Sequence, residues 1–218
     1  MTKSAQKQAK ILFHYHPWSR AAGVRWLLEE LGVSYDVNFV DPLGPGGAPE
    51  EYRAIHPHKK VPAIEIDGQI ITERAAITIY LADRFSLGEL APSLDDPRRA
   101  AYLKMLVYND AVLDPSVALH FRKIEHKPLE YSFGAYEDTI RYLRMHLSEH
   151  PFAVGSQFTA ADVQLASSLG FTIHHLQAVP KAPEFLAYLA RVADRPAHLR
   201  AQQLDAELMQ TVSARHTS

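Results

Sequence analysis

The chain has no cysteine among its 218 residues. That absence removes every disulfide, every cysteine nucleophile and every thiolate-held metal. It has little net charge, formally −2, and no basic stripe, so a nucleic-acid footprint is not expected. It has no apolar run long enough to span a bilayer, so no membrane partner is expected. No internal repeat or low-complexity tract breaks it up. The first residues, Met1 to Lys10, are polar and Lys-rich without an apolar segment behind them. They read as a loose tail and not a signal peptide, and a cytoplasmic location is the default expectation.

What the chain does have is a 47% hydrophobic composition, enough for one or two packed domains. The densest pattern runs from Lys60 to Ala82. Ile64 and Ile66 alternate with Glu65, the period of a half-buried strand. Asp67-Gly68 is a two-residue hairpin signal, and Ile70 and Ile71 open the return strand. Thr72 is placed to cap a helix that turns Ile77, Tyr80 and Leu81 inward. Pro62 lacks an N–H and suits the start of a strand. The backbone of Val61 beside it is placed to pair with a peptide-like ligand. The Thr72-Glu73-Arg74 corner sits at a helix N-terminus, a favourable place for a carboxylate.

Upstream, Ile11 to His14 reads as a strand. Ala21 to Leu31 reads as a helix, with Val24, Leu27, Leu28 and Leu31 on one face and Gly32 as its stop. Tyr35 to Val40 reads as a second strand. Residues Asp41 to Gly47 form a Gly/Pro loop, and Pro49 to Ile55 a short helix. A β-α-β unit followed by β-β-α predicts a sheet with parallel and antiparallel pairs and a right-handed crossover. Beyond a linker, only helices are predicted. One opens at Asp96-Pro97 and is kinked or ended by Pro115. The others span about Tyr131–Ser148, Ala160–Gly170, Pro183–Val192 and Pro196–Met209. The expected division is a tail at 1–9, an α/β domain at 10–86, a linker at 87–96 and an all-α domain at 97–218.

Four stretches in this order carry a resemblance: Ser19 to Gly32, Lys59-Lys-Val-Pro-Ala63, Thr72-Glu-Arg-Ala-Ala-Ile77 and Gly155 to Asp162. Together they resemble the glutathione transferase family over nearly the whole chain, from about Ile11 to about Ala206. The resemblance implies an α/β, thioredoxin-like N-terminal domain that holds glutathione as co-substrate. It also implies an all-α C-terminal domain that helps hold a small hydrophobic electrophile, and a homodimer. Conjugation of glutathione to that electrophile is the expected activity. The alternatives are a non-catalytic glutathione-binding or protein-interaction module on the same fold, or a glutathione-dependent lyase or dehalogenase. Pro62 matches the family's cis-proline, with Val61 presenting its backbone to the cysteinyl part of glutathione. Glu73 matches the residue that meets the γ-glutamyl ammonium. Arg74 stands where the family usually has Ser; it is able to hold a carboxylate or to fill the site with its bulk. A helix-start ion pair is the plain reading of both. Lys60 matches a position that often reaches the glycyl carboxylate, and a solvated lysine is its plain alternative.

A free thiol titrates at about 8.5, so glutathione needs a donor or a positive field to ionise at neutral pH. The family places a Tyr, Ser or Cys after the first strand. Ser19 is the first candidate here and Tyr15 the second, one residue out of register. Ser19 could equally be a plain helix cap, and Tyr15 a half-buried aromatic. Arg20 falls where some bacterial members carry a cysteine, and it could lend positive potential or face solvent. Trp18, Tyr108 and Phe121 are the candidates for a second-substrate pocket, against a plain role in packing. The pairs His14/His16 and His56/His58 lack a completing ligand set, so no metal is expected. Thr159-Ala-Ala-Asp162 is a capping box with Phe158 and Val163 as its staple. As a cap alone, Asp162 would be worth about 1–2 kcal/mol.

Overall fold

A computed structural model describes residues 9–42, 44 and 46–216. The expected tail therefore lies outside the described residues except for Ala9, as do Leu43 and Pro45 of the expected loop. The described residues divide into two compact units, one of residues up to Phe85 together with those from Ala193 onward, the other Ser86–Val192.

The first unit is built on four strands. These are β1 (Ile11–Tyr15), β2 (Tyr35–Phe39), β3 (Ala63–Ile66) and β4 (Gln69–Thr72), in the spatial order β2-β1-β3-β4. Strands β1 and β2 run parallel, while β3 is antiparallel to both β1 and β4. This is the mixed sheet that the β-α-β and β-β-α order predicts, and the thioredoxin-like arrangement that the resemblance implies. The crossover between β1 and β2 is α1 (Ala22–Leu31), which buries Val24, Leu27, Leu28 and Leu31 as its spacing requires. Gly32 ends it at φ 59°, a left-handed cap that costs glycine nothing. Asp67 and Gly68 both take positive φ, the geometry of a two-residue hairpin.

At the end of the hairpin the structure departs from expectation. Thr72 is the last residue of β4, paired with Ala63, so it does not cap a helix. Glu73 intervenes at φ 67°, and α2 (Arg74–Ser86) begins after it. The first helical bond runs from Ile77 N–H to the Glu73 carbonyl at 2.9 Å. A sheet residue cannot also start a helix whose axis leaves at an angle, and one left-handed residue makes the corner. The short helix expected over Pro49–Ile55 is a 3₁₀ turn at Glu50–Ala54.

The second unit is helical throughout, with α3 (Arg99–Tyr108), α4 (Asp114–Arg122), α5 (Tyr136–Glu149), α6 (Ala160–Gly170) and α7 (Pro183–Ala193, whose last residue groups with the first unit). Pro115 neither ends nor replaces the first long helix. The chain widens into a π-helical turn at Asn109–Leu113 and resumes as α4. Proline cannot donate to the carbonyl four residues back, and one extra residue per turn absorbs the missing bond. A second π-helical turn, Phe171–His175, follows α6. Helix α5 starts five residues later than Tyr131, because Gly134 turns the chain at φ 69°.

The last helix, α8 (Pro196–His216), runs past the expected stop at Met209 and groups with the first unit. It packs on α1. Arg195 just before it grips Glu30 through two bonds of 2.6 and 2.8 Å, Arg200 holds Glu29 at 2.6 Å, and His198 stacks on Trp26 at 4.2 Å. Among the described residues no helix is long and apolar enough to cross a membrane.

Candidate functional site

The register brings one edge of the sheet together. His14 pairs with Ala63, and Ala63 with Thr72. The C-terminal end of β1, the N-terminal end of β3 and the C-terminal end of β4 therefore meet side by side. Tyr15, Pro62 and Glu73 each lie one residue beyond that shared rung. The entrance of α2 and the turn after β1 open from the same edge.

Val61 and Pro62 stand ahead of the β3 ladder, joined by a cis peptide bond, with Val61 half-buried and Pro62 buried. Glu73 is exposed and held in the left-handed region that favours glycine. Arg74 beside it is buried, 5% exposed. A solvated ion pair at the helix start is thus not the role of Arg74. Lys60 is exposed on the approach to Pro62. His56, also buried, feels both neighbours. Burial lowers its pKa, the Glu73 carboxylate opposes that shift, and Lys60 adds to it. Glu73, Lys60 and His56 therefore share one electrostatic neighbourhood.

The turn after β1 carries Trp18 and Ser19. The Ser19 hydroxyl donates to the His16 carbonyl at 2.6 Å, and its oxygen accepts from Ala21 N–H at 3.0 Å. Ser19 is half-buried at the foot of α1. Its hydroxyl closes the turn. His16 Nδ1 accepts from Trp18 N–H at 3.2 Å, which orders the same turn.

Tyr15 has a different setting. It is fully buried, and its hydroxyl donates to Asp205 Oδ1 on α8 at 2.5 Å. Arg25 Nη1 donates to the same oxygen at 2.9 Å, and its guanidinium lies 4.2 Å from the Tyr15 ring centroid. Burial, and then the Asp205 charge, push the Tyr15 pKa far up. This phenol keeps its proton and spends it on Asp205. Of the two hydroxyls the sequence offers as thiol donors, only that of Ser19 is partly exposed. Arg25 and Asp205 escaped the sequence reading. The one signal was a charged residue among the apolar positions of α1, where Arg25 is only 3% exposed.

The pocket candidates fall in separate units. Trp18 belongs to the first and is 65% exposed. Tyr108 and Phe121 belong to the second. Tyr108 packs against Tyr142 with ring centroids 4.9 Å apart, and burial lifts its pKa to about 12. Phe121 lies on α4, half exposed at 47%.

The histidines have local partners. His14 meets Glu65 at 2.9 Å through Nε2 and the Asn38 amide at 3.0 Å through Nδ1. His56 Nδ1 accepts from His58 N–H at 3.2 Å. Among the described residues, no three His, Asp or Glu side chains gather as a ligand set.

The capping box of α6 is formed in full, Thr159 and Asp162 each bonding the other's backbone. Asp162 also accepts from Ala153 N–H at 2.6 Å and from Tyr188 Oη–H at 3.0 Å, which no cap pattern predicts.

Residues 9–83 match the family model described as "Glutathione S-transferase, N-terminal domain". Glutathione S-transferase 3 of Schizosaccharomyces pombe is 28% identical over 206 residues, covering 86% of this chain and 84% of that protein. A maleylacetoacetate isomerase of Mus musculus is 27% identical over 216 residues, covering 87% of this chain and 97% of that protein. A solved glutathione transferase from Methylococcus capsulatus superposes with a TM-score of 0.75 at 25% identity, over 90% of this chain and 98% of that one.

Proposed function

Since the chain belongs to the glutathione transferase family, we propose that it binds glutathione at the sheet edge just described and joins the glutathione sulfur to a small apolar electrophile. The observation that carries this reading is Glu73. An exposed, non-glycine residue held at φ 67° costs on the order of 1 kcal/mol, and such strain clusters where a ligand uses it.

In this reading Glu73 meets the γ-glutamyl ammonium. The positive end of α2, with the buried Arg74 as its first residue, meets the γ-glutamyl carboxylate. The Val61 backbone, ahead of the β3 ladder, pairs with the cysteinyl peptide, and Pro62 fixes where that backbone stands. Lys60 approaches the glycyl carboxylate. Ser19 turns its hydroxyl from the His16 carbonyl to the sulfur and stabilises the thiolate. The thiolate then attacks the electrophilic carbon. The thiol proton is released to solvent and a sulfur–carbon bond forms. In substitution a leaving group departs with its electron pair, and in addition across a double bond the neighbouring carbon takes up a proton from solvent. Holding both reactants supplies the remaining acceleration. Trp18, Tyr108 and Phe121 are assigned to the apolar substrate. A homodimer in the cytoplasm completes the proposal.

The mouse maleylacetoacetate isomerase, matched over nearly its whole length, favours a second reading. There the thiolate adds across a conjugated double bond, the adduct rotates, and the thiolate leaves. A thiol count separates the two, since transfer consumes one glutathione per product and isomerisation none. For the role of Ser19, steady-state kinetics of Ser19→Ala with glutathione and an aryl halide are decisive. A fall in kcat of about 100-fold is expected for the lost donor. Wild-type turnover in that variant would remove Ser19 from the mechanism.

A further inference from the structure

Three elements meet on one carboxylate oxygen. Tyr15 ends β1, Arg25 lies on α1, and Asp205 lies on α8; both the Tyr15 hydroxyl and Arg25 Nη1 donate to Asp205 Oδ1. Tyr35 borders the same cluster and donates its hydroxyl to Glu29 at 2.7 Å. Burial raises the pKa of Asp205, which the Tyr15 bond and the Arg25 charge oppose.

Tyr15 is held at two points. Its ring and hydroxyl are fixed by Arg25 and Asp205, and its carbonyl accepts from Val40 N–H at 2.9 Å. The next residue, His16, supplies both anchors of the following turn, its carbonyl to Ser19 and its Nδ1 to Trp18 N–H. The backbone that carries Ser19 thus hangs from Tyr15.

We propose that Asp205 is a positioning residue of the thiol-activating site, acting through Tyr15 to fix the turn from His16 to Ser19, so that the C-terminal helix is a working part of that site. The proposal rests on the reading of Ser19 as the hydroxyl that meets the glutathione sulfur. The alternative is a clasp that merely holds α8 to α1. One other contact of that clasp is separate, because Arg195–Glu30 joins the same two regions without touching β1 or Asp205.

That separation gives the test. Tyr15→Phe keeps the ring and removes only the hydroxyl. Asp205→Ala removes the acceptor, Asp205→Asn restores a neutral one, and Arg195→Ala loosens the clasp as a control. Hydrogen exchange at the Trp18 and Ala21 amides is read in full-length protein without glutathione. The pH midpoint of the bound-glutathione thiolate band is read beside it. In Tyr15→Phe and Asp205→Ala those amides exchange about 10-fold faster than in wild type and in Arg195→Ala. The thiolate midpoint rises by about one pH unit in the same two variants. Asp205→Asn returns both readouts most of the way to wild type. Exchange in Tyr15→Phe and Asp205→Ala equal to that of the Arg195→Ala control overturns the proposal. A wild-type protein with no thiolate band removes the Ser19 reading instead. The exchange comparison then still decides whether Asp205 fixes the turn.

Discussion

Asp162 and Asp205 are both aspartates drawn out of water, and the two units treat them in opposite ways. Asp162, in the helical unit, is fully buried and meets no cation. Four neutral donors converge on it, from Ala153, Thr159 twice and Tyr188, three of them contributed by its own or the adjoining segment. Burial still outweighs them and lifts its pKa to about 6. Asp205, in the sheet unit, keeps 23% of its side chain exposed and is paired with a guanidinium. Its partners lie 180 and 190 residues away. The first aspartate shapes one helix start and its packing. The second joins the last helix to the end of the first strand. A local motif with neutral donors builds a rigid corner, while a charged long-range contact ties distant parts of the chain to one site.

Asp162→Ala is the largest way to break that comparison. It orphans buried donors on Ala153, Thr159 and Tyr188, each costing about 1–3 kcal/mol. We expect a loss of about 3–5 kcal/mol, read as a lower denaturation midpoint at constant slope. This is more than the 1–2 kcal/mol of a cap alone, because the Ala153 and Tyr188 bonds add to it. A loss of only 1 kcal/mol would mean that those two bonds contribute nothing.

The pH dependence follows from the same residue. Its folded pKa, about 6, lies above the ordinary aspartate value of about 3.9. The folded state therefore binds the proton more tightly. The stability this gives is fully present below about 4 and is lost as pH rises through about 6. Relative to Asp162→Asn, wild type should gain about 2.4 kcal/mol between pH 7 and pH 4. A flat difference between the two proteins across that range contradicts it.

Arg25→Met tests the other aspartate. It leaves Asp205 without its cation, and part exposure limits the loss to about 2 kcal/mol. A melting temperature equal to wild type would show that the Arg25 pair is worth nothing. The smallest effect concerns Glu73→Gly. Relief of the left-handed strain should stabilise the protein by about 0.5–1 kcal/mol while weakening glutathione binding. A destabilised variant would mean that Glu73 makes contacts that outweigh its strain.

The same contrast marks what the sequence could reveal. Thr159 and Asp162 are three residues apart, so their mutual bonds follow from spacing alone. The hairpin at Asp67-Gly68, the α1 stripe and its Gly32 stop are legible for the same reason. Each rests on neighbours in the chain. The helix start near Glu73 was legible, but the role of Glu73 as the left-handed corner was not, because Thr72 offers an equally good cap until the sheet register claims it. Tyr15 read as a candidate donor because it ends β1, though one residue out of register with the family's tyrosine. Only the fold shows that its hydroxyl faces α8. No local pattern announces a partner 190 residues on, and Arg25, a charge in an apolar stripe, was the single trace of it. The π-helical turn before Pro115 was legible as a disturbance but not as a continuation, since the extra residue becomes visible only in the bonding pattern.

The central claim is that the sheet edge at Ser19, Val61 and Glu73 binds glutathione and ionises its sulfur. The ultraviolet difference spectrum of glutathione bound to the pure protein, titrated with pH, tests it most directly. The account predicts a thiolate band that persists well below the free thiol's pKa of about 8.5. Bound glutathione that shows no such band below that pH, or no binding at all, would contradict it.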